Sequence, residues 1–471
     1  MKAIKRVIEL CKKALSRHGK AHKTTKQSAN NAVTIYSRDQ HQVSRKFIST
    51  NAQKVLYRLA NAGYDAYLVG GGVRDILLGL APKDFDIVTN ATPEQIKILF
   101  RNCRLIGRRF RLAHILFGRE VIEVATFRGH HDNIADDDKN NQKISKQSEQ
   151  GMLLRDNIYG TIEEDAERRD FSINALYYNI NNFSVYDFAG GIGDIQQRTI
   201  RLIGDPETRY REDPVRMLRA VRFAVKLAMQ IEPQTKAPIN SLAPLLANIP
   251  AARMFEEFNK LFLSGNALAT FTMLREFNLF KYFFPATDTL LNEPQTQQEM
   301  LAFISIAMRN TDQRIKQNQR VTPAFLLATM LWYPLTHYIA QLKQNSTLSA
   351  QDIFFEALAA ILAEQQPCIA IPKRFLAVMK DIWILQERLT ALDAKRATKA
   401  FEHPKFRAGY DFLLLRAEIN PEQFQTSAQW WHDFQQNNPH TQQQMLKALA
   451  RSPKPRSSKR RSYVRNKKTV D

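Results

Sequence analysis

Apolar positions change their spacing along this chain, and the change divides it. Residues 1–46 are basic and polar with a single amphipathic stretch at the start, which predicts a flexible or weakly helical extension. From Ala52 the pattern sharpens. Residues 52–62 carry helical spacing, and Ala66–Val69 is a short apolar run of strand type. Three glycines follow, then a helical stretch from Val73 to Leu78 and a second strand over Phe85–Val88. Thr92 before Pro93 predicts a capped helix. Two more strands are expected at Leu112–Phe117 and Val121–Phe127, and a hairpin at Leu176–Ile180 and Val185–Phe188. From Asp213 to about residue 450 the period is helical, with few glycines and polar breaks near 233, 292 and 345.

The segments between are as informative. Residues 130–150 are almost wholly polar, so they cannot supply a packed core and are expected to form a mobile loop. Asp136, Asp137 and Asp138 have no apolar frame there and read as solvated acids. The Gln-rich stretch at 422–445 keeps Phe424, Trp430, Trp431 and Phe434, enough to fold. The layout expected is an extension (1–46), a mixed α/β head with a small sheet (47–190), a helical neck (191–275), a helical body and leg region (276–450) and a basic disordered tail (451–471).

Charge narrows the function. Lys and Arg exceed Asp and Glu by 22 over 471 residues, which calls for a polyanionic partner, nucleic acid first and an anionic membrane surface second. Cys11, Cys103 and Cys368 are far apart, so neither a zinc site nor a disulfide framework is indicated and a reducing cytoplasm fits. The N-terminal stretch lacks a continuous apolar segment, so a secretory leader is not expected, although contact with a membrane surface stays open. No apolar run is long enough to span a bilayer. In the tail, nine Lys or Arg stand against one Asp; Lys454, Arg456, Lys459, Arg460, Arg461, Arg465, Lys467 and Lys468 are candidates to grip an RNA backbone.

Three blocks carry chemistry. In LVGGGVRDILLGLAPKDFDIV (68–88), Gly70, Gly71 and Gly72 let the backbone approach a ligand, and the helix after them turns free N–H groups toward an anion. Arg74 adds a cation for phosphate. Asp84 and Asp86, two apart on a strand, would point the same way and repel unless a hard divalent cation joins them. Such a pair alone is weak evidence; beside a glycine turn and a helix start it becomes equipment for phosphoryl transfer. Glu123, alone in the apolar run VIEVATF, is a candidate third metal ligand, the alternative being a solvent-facing position on a half-exposed strand. In EEDAERRDFSINALYYNI (163–180), Arg168 and Arg169 suit a triphosphate, while Asp170 and Asn174 suit ribose hydroxyls; a capping Asp beside a surface Arg pair is the plain alternative. In GDPETRYREDPVRMLRAVRFA (204–224), Arg216, Arg219 and Arg222 share one helix face. Asp213 can accept from an exocyclic amine and Arg216 can donate to a ring nitrogen, a pairing that serves adenine or cytosine alike.

These blocks, in this order, resemble the class II nucleotidyltransferase superfamily of bacterial poly(A) polymerases and CCA-adding enzymes, strongly over residues 50–270 and loosely beyond. LIGRRFRLAHIL (105–116) and the basic tail point to the poly(A) polymerase branch. The resemblance implies an α+β protein: a polymerase-β-like head, then all-α neck, body and leg domains. It implies Asp84 and Asp86 as metal-binding catalytic acids, a functional Asp170, and nucleotide recognition by Asp213 and Arg216. Its activity would be addition of AMP from ATP to RNA 3′ ends with Mg²⁺ (Mn²⁺ in its place), as a monomer working beside RNA-decay machinery. A CCA-adding enzyme and a non-catalytic RNA-binding protein are the competing classes. The His131–Asp132 and His432–Asp433 pairs lack further histidines at metal-ligand spacing and carry no hydrolase assignment.

Overall fold

The computed structural model describes residues 33–107, 111–129, 145–147, 153–156 and 158–451. Its largest sheet has eight strands in the order β1-β10-β9-β2-β3-β6-β5-β4. They are β1 (Thr34–Tyr36), β2 (Ala66–Val69), β3 (Asp86–Thr89), β4 (Cys103–Ile106), β5 (Leu112–Phe117), β6 (Glu120–Thr126), β9 (Leu176–Asn179) and β10 (Val185–Asp187), while β7 (Ser145–Gln147) and β8 (Leu153–Asp156) form a separate ladder. β3 and β6 run parallel, and the other neighbours in the large sheet are antiparallel.

Three expectations change here. β1 pairs with β10, so the chain joins the head well before residue 47. β4 was not legible, because Arg104 interrupts its apolar pattern on an edge strand. The polar loop expected over 130–150 includes β7, which pairs antiparallel with β8. Backbone hydrogen bonding can hold such a hairpin without an apolar frame.

Helices brace the sheet. α1 (Thr50–Asn61) is capped by Ser49, whose hydroxyl accepts from the Ala52 N–H, and buries Ala52, Val55, Leu56 and Leu59 on one face. α2 (Gly71–Leu77) starts two residues earlier than its apolar pattern suggests, directly after Gly70 at φ 70°. α3 (Pro93–Leu99) carries the expected cap as a reciprocal box between Thr92 and Gln95. α4 (Ile162–Glu167), α5 (Gly191–Gln196), α6 (Pro206–Glu212) and α7 (Val215–Leu227) lead into the helical remainder, which ends with Pro439–Arg451. Proline opens α6 and the helices Pro285–Leu291, Pro323–Met330 and Pro421–Gln436, where a missing N–H costs nothing. One apolar core runs from Val43 in the head through the neck to Leu415, and a second, around Trp431, closes the C-terminal helices. Among the described residues no helix is long and apolar enough to cross a membrane.

Candidate active site

Parallel pairing of β3 with β6 sets Asp86 directly beside Glu123. Asp84 lies just before β3, exposed, and its carbonyl oxygen would sit 3.5 Å from a Cβ added at Gly72. Asp86 reaches solvent at the mouth of a cleft whose walls still displace most bulk water. That burial, with Glu123 and then Asp84 repelling it and Arg169 opposing, pushes its carboxyl up to about 6. Glu123 also meets His114 Nε2 at 3.3 Å, and its side chain is 43% exposed, so it is both half-exposed and cleft-facing.

The cleft, about 430 Å³, lies between the sheet and the neck. Asp86 and Glu123 form one side; the candidates Arg168, Arg169, Asp170, Asp213, Arg216 and Arg219 line it, and Arg128, Asp165, Arg209 and Arg253 join them. Behind the wall Arg169 donates to Asp165 Oδ2 from Nε at 3.2 Å and Nη2 at 3.1 Å, and to the Tyr177 hydroxyl at 2.8 Å. Tyr177 donates to the same Asp165 oxygen at 2.7 Å. Burial works against the Arg169 charge, but Tyr177 and Asp165 outweigh it and raise its pKa. Gly70 turns the chain close over this arginine, 3.6 Å from a would-be Cβ to Arg169 Nη1.

Arg209 caps the end of α4, its Nη2 donating to the carbonyls of Arg168 and Arg169 at 2.7 Å each. Burial, and then the neighbouring Arg216, bring Arg209 down to about 10. Arg168, whose Nη1 donates to the Gly129 carbonyl, is likewise brought to about 10 by burial followed by Arg128 and Arg209. Crowded guanidiniums of this kind suit a polyanion.

At the neck, Asp170 accepts from Arg219 Nη1 at 3.3 Å and from Asn174 Nδ2 at 3.2 Å. Burial would raise its carboxyl, yet Arg219 and Asn174 hold it below its ordinary value. Asp213 accepts from Arg253 Nη2 at 2.7 Å and is held low against its burial chiefly by that arginine. Arg216 donates to Glu212 Oε2 at 2.8 Å and to the Arg209 carbonyl at 2.6 Å.

Asp84 and Gly70, placed above, are not among the lining residues, and four more predicted residues stand elsewhere. Arg74 is buried and engaged, donating to Asn174 Oδ1 at 2.7 Å and pairing with Asp75 at 2.5 Å. Asn174 therefore links Arg74 to Asp170 behind the cleft. Gly71 packs against Arg74, and Arg222 lies outside the lining. Of the residues sequence reasoning missed, Arg209 sits seven residues before Arg216, on the preceding helix of an already quoted block, whereas Arg253 is 40 residues from its partner Asp213 and gave no local signal. Among the described residues no three or more His, Cys, Asp or Glu side chains gather into a metal-holding group. The tail cations Lys454, Arg456, Lys459, Arg460, Arg461, Arg465, Lys467 and Lys468 lie outside the described residues, as do 108–110 within the 105–116 segment.

A mixed-sheet head with paired acids at a strand start, facing an arginine-walled cleft against a helical neck, defines a nucleotidyltransferase. Residues 66–201 match the poly A polymerase head domain family, 228–291 the family described as "Probable RNA and SrmB- binding site of polymerase A", and 346–468 the polymerase A arginine-rich C-terminus. The chain is 52% identical to poly(A) polymerase I of Salmonella typhimurium over 98% of both chains, and 45% identical to that of Haemophilus influenzae over 92% of this chain and 95% of the relative. A CCA-adding enzyme of Lactobacillus helveticus is 35% identical over only 48% of this chain and 53% of its own. The Thermotoga maritima CCA-adding enzyme complexed with tRNA shares the fold, with a TM-score of 0.57 at 18% identity over 90% of this chain and 96% of that one. The chain belongs to the poly(A) polymerase I family and is a polynucleotide adenylyltransferase.

Proposed function

We propose that the cleft holds ATP with its triphosphate along Arg128, Arg168, Arg169 and Arg209 and its base against Asp213 and Arg216, and that AMP passes to an RNA 3′-hydroxyl presented at Asp84 and Asp86. The observation that carries this is the juxtaposition of mutually repelling acids, Asp86 and Glu123, with crowded guanidiniums in one cleft. The family uses a nucleotide and a divalent metal. Here Mg²⁺, with Mn²⁺ able to replace it, would be held by Asp84 and Asp86. Two carboxylates suffice for this ion, since substrate phosphates and water commonly complete its shell. Glu123, half-exposed beside Asp86, is the proposed third carboxylate. When bound, the metal neutralises phosphate charge and acidifies the RNA hydroxyl.

The protein's own groups do the rest. The arginine wall receives the leaving pyrophosphate, whose negative charge grows as the bond to the α-phosphate breaks. Asp170 fixes Arg219 and so holds neck to head across the nucleotide. Asp213, oriented by Arg253, accepts from the adenine amine, and Arg216 donates to a ring nitrogen. The basic tail tracks RNA backbone, RNA binding by the 228–291 segment accords with its family description, and a protein partner in RNA decay belongs to the same reading. A monomer acting in the cytoplasm completes the reading.

Extension of oligo(A) and of a tRNA lacking its CCA end, with each nucleoside triphosphate supplied separately, tests it. Long tails on oligo(A) from ATP alone are expected. Asp84→Asn and Asp86→Asn should each lower the rate by about a thousandfold or more, the scale of a lost essential electrostatic group. Near-normal rates in both folded variants would overturn the metal-site assignment, and addition that stops at CCA would overturn the substrate.

A further inference from the structure

Arg222 donates no hydrogen bond and forms no ion pair among the described residues; its Nε is buried without a partner. Its guanidinium rests on the Phe223 ring, 4.8 Å from the centroid, and the Arg74 guanidinium rests on the same ring at 5.2 Å. Lys226 lies one turn further along α7, exposed. The protein around Lys226, and then the charges of Arg74, Arg222 and Lys83, hold its ammonium below its ordinary pKa, and Asp75, already paired with Arg74, opposes them. Lys83 immediately precedes Asp84. None of Lys83, Arg222 and Lys226 lines the nucleotide cleft. Arg222 and Lys226, one turn apart on α7, and Lys83, next to Asp84 in the chain, thus make a strip of cations outside the cleft lining.

We propose that Lys83, Arg222 and Lys226 dock the backbone phosphates of the RNA primer's 3′ end, an inference that rests on the ATP cleft described above. In-line transfer requires the attacking hydroxyl to approach opposite the leaving pyrophosphate. The arginine wall takes the pyrophosphate, so the primer needs separate cations on the other side of Asp84 and Asp86, and this strip supplies them. Contact with phosphate would also give the Arg222 guanidinium acceptors that it lacks among the described residues.

Initial rates on oligo(A), with primer and ATP varied independently, test the assignment in R222Q and in K226Q, the latter at an exposed position. The KM for primer should rise about tenfold in R222Q and severalfold in K226Q, the worth of a charged hydrogen bond, while the KM for ATP changes less than about twofold. Each variant should also flatten the slope of log affinity for oligo(A) against log salt by about 0.7, the signature of one lost single-strand phosphate contact, and R222K should restore most of the loss. A raised KM for ATP with primer KM unchanged would move the strip to the triphosphate and overturn the proposal, as would no change in either. Oligo(A) titration without ATP separates the two readings. If the wild type binds oligo(A) but fails to extend it with ATP, the cleft assignment fails, while weaker binding by R222Q still supports the strip.

Discussion

Asp86 shows how one residue balances stability against chemistry. Its carboxyl stands at about 6, above the ordinary 3.8, because burial in the cleft wall and the charges of Glu123 and Asp84 disfavour its ionised form. A carboxyl raised on folding contributes stability that is full below its unfolded pKa and is lost as pH rises through the folded value. In the absence of divalent cations, Asp86→Asn should therefore be more stable than the wild type at pH 8, by about 1 kcal/mol after discounting for solvent screening. The advantage should shrink between pH 6 and pH 4. Urea denaturation with a chelator at several pH values measures it, and an advantage that grew toward low pH would contradict the sign. Arg74 makes the converse point: its type suggested phosphate binding, but its donors are taken by Asp75 and Asn174, so it positions Asp170 instead.

At the scale of elements, the turn carrying Asp170 depends on a glycine far along the chain. Gly191 begins α5, and an added Cβ there would lie 2.3 Å from the Ser172 carbonyl oxygen, with backbone on both sides of the conflict. Asp187 at the end of β10 fixes α5 by accepting from the N–H groups of Ala189, Gly191 and Ile192 at 3.1, 2.9 and 2.9 Å, so the helix cannot simply withdraw. Gly191→Ala should cost about 1–3 kcal/mol, the range for overpacking, and lower kcat by displacing Asp170 and Asn174. Gly193→Ala in the same helix meets nothing within 4 Å and is the control, expected within about 0.5 kcal/mol of wild type or stabilised. Thermal unfolding of the pair decides it; equal midpoints would show that the turn relaxes freely.

The whole molecule couples a catalytic head to a mostly helical body through a continuous core and the Asp170–Arg219 bridge. Its excess of positive charge is largest toward the two ends: residues 1–46 hold twelve Lys or Arg against two Asp or Glu, and the tail residues 452–471 hold eight Lys or Arg and one Asp. Removing the tail should weaken RNA binding and flatten its salt dependence together, because each neutralised phosphate releases condensed counterions. The KM for ATP should stay within about twofold, since the nucleotide contacts are local to the cleft. Equilibrium binding of oligo(A) between 50 and 200 mM salt measures the effect; an unchanged slope would remove the tail from the RNA interface.

Much of this protein is local and so was readable in order of residues. Strand β2 was placed at its observed bounds, the Thr92 cap formed as expected, and Arg168, Arg169, Arg216 and Arg219 of the 163–180 and 204–224 blocks converge on one cleft. Periodicity, capping chemistry and the glycine turn act over a few residues, which is why one chain's sequence suffices for them. Tertiary structure decided what short-range rules cannot carry. It paired β1 with β10 across 151 residues, drew Arg253 to Asp213, buried Arg74 away from the nucleotide, and left the Arg222 Nε with no hydrogen-bond partner among the described residues. Each depends on which elements meet in space. A charged side chain becomes a wall, a brace or a docking site according to the partners folding brings within hydrogen-bond reach.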